Sequence, residues 1–148
     1  MRKSLPFIFF FVLMPLCYSN LVINEIMAHP ISDESLNEWV EIYNNGSDAV
    51  NASGWIIGDN ADNDTIEGGL YNKEGTIILP FGFAVITDDT TRVYNNFNVS
   101  HDAVKLYVDD SAIGNGLLND GETLHLYFNS TLIHNASYPE TKEGFSAS

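Results

Sequence analysis

From Leu21 onward the apolar residues of the chain recur in short alternating runs, separated by clusters of Asn, Asp, Gly and Ser. No stretch sustains a helical period, so the pattern is that of an all-β protein. The runs predict strands at Leu21–Met27, Glu38–Asn44, Trp55–Gly58, Thr76–Leu79, Phe83–Thr87, Ala103–Val108, Thr123–Phe128 and Leu132–Tyr138. Strands this short and this numerous favour a sandwich over a barrel. Asn45-Gly46 and Asp120-Gly121 are turn pairs whose glycine takes positive φ at little cost. Pro80-Phe81-Gly82 ends one strand and starts the next, because proline brings no N–H to a ladder. Asn129-Ser130-Thr131, set between Phe128 and Leu132, predicts a closing hairpin. The residues after Tyr138 read as a frayed or truncated tail, 139–148.

The first nineteen residues are of another kind. Arg2 and Lys3 precede an apolar run from Leu5 to Leu16, and Cys17-Tyr18-Ser19 supplies small residues at the −3 and −1 positions of a cut, so 1–19 reads as a cleavable signal peptide. The apolar run falls short of the roughly 18 to 20 residues a bilayer needs, and no transmembrane span is expected after cleavage. Leu16 is not the small residue that lipidation of Cys17 would want in front of it. Cleavage after Ser19 removes the single cysteine and leaves 20–138 as one domain stabilised by packing without disulfides. The predicted location is secreted or at the cell surface. Loss of Arg2 and Lys3 also leaves Lys73, Arg92, Lys105 and Lys142 against 20 Asp and Glu, more negative still than the −14 of the whole chain. Such a surface repels phosphates and speaks against nucleic acid as a partner.

Six Asn-x-Ser/Thr triplets, at Asn45, Asn51, Asn63, Asn98, Asn129 and Asn135, are candidate glycosylation sites in an exported chain. Asn45, Asn63 and Asn129 fall in predicted turns, Asn135 inside a predicted strand. The densest acidic stretch, GDNADNDTIEGG, contributes Asp59, Asp62, Asp64 and Glu67 as candidate calcium ligands, since hard cations want several oxygens from a flexible loop. Its spacing departs from the EF-hand loop: counted from Asp62, Ile66 and Glu67 occupy the fifth and sixth positions. A solvated loop is the plainer reading, and no other cofactor is indicated. His29, His101, His125 and His134 show no zinc spacing, and no serine sits in a glycine-flanked elbow. His125, between Leu124 and Leu126, is expected to face solvent. Glu38 and Glu41 are three residues apart and fall on opposite faces of one strand, which argues against a carboxylate dyad. If Trp39 points inward, Glu41 shares its face and needs a buried partner.

LVINEIM, EWVEIYNNGSDAVNASGW, ILPFGFAVIT and GLLNDGETLHLY resemble, in order and spacing, the lamin-tail domain family, over about Leu21 to Tyr138. The resemblance implies an immunoglobulin-like antiparallel β-sandwich. It also implies structural roles for Asn24, Glu25, Glu38, Trp39, Glu41, Asn44, Gly54, Trp55, Pro80, Gly82, Asn119 and Gly121. It points to a non-catalytic module of the kind found on secreted prokaryotic proteins, binding protein, glycan or cell-envelope material. Two alternatives stand beside this. One is an assembly unit of an acidic surface layer; the other is the accessory domain of a separately encoded or lost extracellular hydrolase or nuclease.

Overall fold

The computed structural model describes residues 21–68 and 75–148, so the expected signal segment lies outside the described residues, as does Lys73. The elements run β1 (Leu21–Met27), α1 (Glu34–Asn37), β2 (Trp39–Asn44), β3 (Val50–Asn51), β4 (Ile56–Gly58), β5 (Asn63–Gly68), β6 (Ile77–Ile78), β7 (Phe83–Thr87), α2 (Val93–Asn96), β8 (Val104–Val108), β9 (Gly121–Phe128) and β10 (Thr131–Pro139). Eight strands form one ladder in the order β1-β2-β7-β8-β5-β4-β9-β10, and β3 pairs with β6 apart from it. The ladder folds over on itself to give an all-β, immunoglobulin-like sandwich. Among the described residues no helix is long and apolar enough to cross a membrane.

The corner of the sandwich is β5. Asn63, Asp64 and Thr65 pair with β4, while Ile66, Glu67 and Gly68 pair with β8, so one strand serves both halves. This stretch was expected to be a solvated loop. Its alternation supports a strand after all, because Asp64 and Ile66 are buried between exposed or half-buried neighbours. The pairing is antiparallel throughout except between β7 and β8, which run parallel. Parallel neighbours need a crossover, and the segment carrying α2 provides it.

Between the two halves lies the main core, which includes Val40, Ile42, Trp55, Ile57, Ile66, Ile86, Leu106, Leu124 and Leu126. Trp55 is fully buried and stacks on Phe128 with ring centroids 5.0 Å apart. The β9–β10 hairpin closes through Asn129 and Ser130, both at positive φ, as a two-residue loop that follows the strand twist demands. At the first turn pair the expectation fails: Gly46 does not take positive φ. There the Asn44 side chain makes the turn, its Oδ1 accepting the Gly46 N–H at 3.1 Å.

The two edge strands, β1 and β10, meet. Each carries a bulge, at Ile23/Glu25 and at Leu132/His134, and the Ile23 N–H donates to His134 Nδ1 across the seam at 3.2 Å. The last residues cover what remains of the β1 edge. Ile26 and Ala147 exchange both backbone hydrogen bonds at 2.8 Å, Gly144 N–H donates to the His29 carbonyl at 2.7 Å, and the Ser146 hydroxyl bonds Glu25. The tail is therefore docked, not frayed; pairing with an otherwise open edge fixes it.

Asn44 shows how a buried polar side chain specifies this architecture. With no exposure, it donates to the carbonyls of Asp48, Ile78 and Leu79 at 2.8, 3.2 and 3.1 Å, binding β2 to the β6–β7 turn. Replacing Asn44 by alanine removes those donors and the Gly46 acceptor together, and a loss of about 2–4 kcal/mol is expected, measured by urea unfolding.

Candidate functional site

Strand β2 presents two chemically different faces. Val40, Ile42 and Asn44 point into the core, while Trp39, Glu41 and Tyr43 point outward. Glu38, just before the strand, belongs with the inward set and is only 9% exposed. The buried carboxylate is thus Glu38 and not Glu41, because Trp39 does not point inward; the fully apolar β-branched pair Val40 and Ile42 claims the core side. Glu38 and Glu41 do fall on opposite faces. Glu41 Oε1 accepts a hydrogen bond from Asn24 Nδ2 at 2.7 Å on the outside of the sheet.

On the inner side the acidic residues hold a loop. The connection from β8 to β9 has backbone N–H groups that no strand receives. Asp64 Oδ2 accepts that of Gly114 at 2.5 Å, Glu38 Oε2 that of Leu117 at 3.1 Å, and Glu122 Oε1 that of Leu118 at 2.8 Å. Burial pushes the Glu38 carboxyl up to about 7; the Leu117 N–H opposes this, and Glu34, Asp88 and Glu122 add to it. Burial likewise raises Asp64 to about 6, against the Gly114 N–H. Glu122 is raised by burial too, and its Oε1 also accepts the Tyr138 hydroxyl at 2.7 Å.

The four proposed calcium ligands are not gathered. Asp59 Oδ1 accepts the N–H groups of Ala61 and Asp62 at 2.5 and 2.9 Å; burial pushes this carboxyl up, but those bonds outweigh it and hold it below the usual range. Asp62 Oδ1 accepts the Asn63 N–H at 2.8 Å in the β4–β5 turn, Asp64 is committed to Gly114, and Glu67 is exposed on β5. Among the described residues no group of three or more His, Cys, Asp or Glu is placed to hold a metal ion. The histidines lie apart: His29 Nε2 is 3.2 Å from Glu34, His101 is exposed beside Asp102, and His134 sits in the β1–β10 seam. His125 points away from the core, opposite Leu124 and Leu126 as expected, but it is half-buried there, with Nδ1 enclosed and without a hydrogen-bond partner.

The outer face of β2, β7 and β8 carries the feature that sequence reasoning missed. The β7–β8 crossover lays Val93, Tyr94, Phe97, Val99 and Ala103 over Val85 and Trp39, forming a second, smaller apolar cluster. Asn37 anchors the crossover, accepting from Asn96 Nδ2 at 2.8 Å while donating to the Ser32 and Asp33 carbonyls. The Tyr94 hydroxyl reaches the carbonyls of Val85 and Leu106, each at 3.0 Å. Between the crossover and the β6–β7 turn a cleft of about 590 Å³ opens, its walls including Trp39, Phe81, Phe83 and Phe97 and its charged groups Glu41 and Asp102. That size is ordinary for a ligand site. The aromatic residues were visible in the sequence, but only the crossover brings Phe97 and Asp102 opposite Phe81 and Phe83.

The remaining positions that the resemblance singles out lie in turns and backbone contacts. Gly121 has φ +93, and a Cβ there would lie 2.5 Å from the Tyr138 carbonyl oxygen. Gly54 has φ +77, and Pro80 and Gly82 bracket a turn in which Gly82 N–H donates to the Leu79 carbonyl at 2.9 Å. Asn119 Nδ2 donates to Glu34 at 2.9 Å. All six triplet asparagines, Asn45, Asn51, Asn63, Asn98, Asn129 and Asn135, are exposed, the last because its face of β10 is open.

The lamin tail domain model matches residues 17–140, and the chain belongs to the lamin tail domain family, whose members are non-catalytic immunoglobulin-like domains. No match was found among curated proteins or among solved structures.

The buried acids make stability depend on pH in a definite direction. Burial raises Glu38 and Asp64 in the fold above their ordinary 4.5 and 3.8, so the native state binds more protons and loses stability as pH rises from about 4, the loss being complete once pH has passed about 6 for Asp64 and about 7 for Glu38. Glu38→Gln keeps an acceptor for the Leu117 N–H without the buried charge. It should stabilise the domain by on the order of 3 kcal/mol at pH 8 and hardly at all at pH 4, checked by melting temperature across pH. Glu41→Gln should leave the melting temperature nearly unchanged.

Proposed function

We propose that this protein is an exported, non-catalytic interaction module that holds its partner in the aromatic cleft on the outer face of β2, β7 and β8. The observation that carries the reading is the cleft itself. Phe81 is 62% exposed and Phe83 40%, side by side on a face that has no need of them for the core. Contiguous exposed aromatic surface beside polar groups marks interaction sites. The inward carboxylates, in contrast, are engaged in holding backbone, and family membership supports a binding rather than a catalytic role.

Export is supported by the charged and apolar pattern of residues 1–19, and a secreted or surface location makes extracellular protein, glycan or cell-envelope material the pool from which the partner comes. The exposed triplet asparagines fit glycosylation in the same compartment. A surface-layer assembly has less support, because β1 and β10 close against each other and the tail covers β1.

A photo-crosslinking residue at position 81, in the full chain expressed in its host, should give a discrete adduct in the envelope or extracellular fraction. The same residue at Leu132, an exposed apolar position on β10, should give none. Equal adducts from both positions, or a chain confined to the cytoplasmic fraction, would count against the reading.

A further inference from the structure

The residues that line the cleft carry charge of one sign only. Its ionisable lining groups are Glu41 and Asp102, and no Lys, Arg or His lines it. His101 stands 3.7 Å from Asp102, with both side chains pointing into solvent. The bond from Asn24 engages one Glu41 oxygen and orients the carboxylate. The walls are aromatic, and aromatic faces present negative potential to whatever lies over them. The same sheet face already shows the matching contact. Lys105, cross-strand from Val85, sets its Nζ 5.2 Å from the centre of the Tyr94 ring.

Phe81 adds a second, independent indication. It occupies the third position of the Leu79–Gly82 turn with φ +58, where glycine or asparagine is the usual occupant. A bulky side chain in that conformation is strained; the turn is held by Asn44 and by the Gly82–Leu79 bond, and strained residues cluster at ligand sites. Burial does not offset the strain, since Phe81 is mostly exposed. What the residue does is complete one wall of the cleft.

We propose that the cleft is a receptor for the cationic side chains of a basic protein segment: a lysine or arginine lays its apolar stem along Phe81 and Phe97 and directs its charge to Glu41 and Asp102. The inference rests on the cleft being the binding face, and it names the chemistry of the partner. An anionic ligand would meet two carboxylates and a chain of net charge −14, whereas a cationic one is drawn in by both.

Trp39 lines the cleft while Trp55 is sealed in the core, so ligand-dependent fluorescence reports on the site. The full chain is titrated with a short peptide alternating lysine and glycine, with its glutamate counterpart and with a neutral oligosaccharide. The lysine peptide alone should saturate the signal. Phe81→Gly, which suits the backbone and keeps the melting temperature, and Glu41→Gln, which keeps the Asn24 acceptor, should each weaken it by about 3- to 30-fold. Glu140→Gln, an exposed acid in the tail, removes the same charge elsewhere and should leave affinity unchanged. Equal weakening by Glu140→Gln would show general attraction and overturn the proposal. Saturable, Phe81-dependent binding of the oligosaccharide or the glutamate peptide would overturn the cationic partner while leaving the cleft as the binding face. No response to any probe, with no adduct at position 81, would overturn both.

Discussion

The N–H groups of Gly114, Leu117 and Leu118 have no strand to receive them, and the carboxylates of Asp64, Glu38 and Glu122 accept them instead. Asp64 and Glu38 come from β5 and from the entry to β2, so the connection is bound to two distant parts of the chain, while Glu122 closes it onto the start of β9 that follows. A buried N–H left without an acceptor is costly. With the loop held, Ile113 and Leu117 are buried and close the core at that end. Gly114 and Gly116, at φ +59 and +92, let the backbone turn closely enough for the carboxylates to reach. The raised proton affinities of Glu38 and Asp64 are the other side of the same arrangement: the acids are held where water does not solvate them fully.

The capture of the loop on one side of β2 leaves the other side of that strand available. Alternation commits Val40, Ile42 and Asn44 to the interior and sends Trp39, Glu41 and Tyr43 out, where β7 adds Phe83 and Val85 to the same surface. Tyr43 and Phe83 lie against each other with centroids 4.7 Å apart, which stiffens the floor next to the cleft. The roof follows from topology. Parallel pairing of β7 and β8 obliges the chain to cross the sheet, and the crossing segment brings its own apolar residues to cover part of the outer face. A cleft remains because the cover stops short of the β6–β7 turn.

Most of the strand frame was legible because alternating apolar residues carry it directly: β1 and β7 fall at the residues their patterns predict. The fully buried Trp55 and the Asn129-Ser130 hairpin follow from equally local signals. β5 escaped because Asp62, Asp64 and Glu67 disguise it as a loop; composition cannot tell a solvated aspartate from one that catches a backbone N–H 50 residues further on. The face of Trp39 was left open for a related reason. Alternation alone does not say which face is inward; here the fully apolar Val40 and Ile42 pack between the sheets, and Trp39 packs against the smaller cluster outside. The candidate site was the least legible part, since its walls come from β2, from the turn before β7 and from the crossover, segments joined only by the parallel pairing.

The acidity of the chain then has two separate physical roles. Glu38, Asp64 and Glu122 lend their oxygens to the backbone, and their effect is internal, set by desolvation and hydrogen bonding. Asp33, Glu67, Asp102, Asp109 and Asp110 are exposed and contribute to the field outside the molecule. That field is screened within about 10 Å at moderate salt, so it can draw a cation toward the domain but cannot by itself choose where the cation rests. The choice needs a place where a carboxylate is oriented and aromatic surface excludes water beside it. Glu41, held by Asn24 and flanked across the outer face by Trp39 and Phe83, meets that condition.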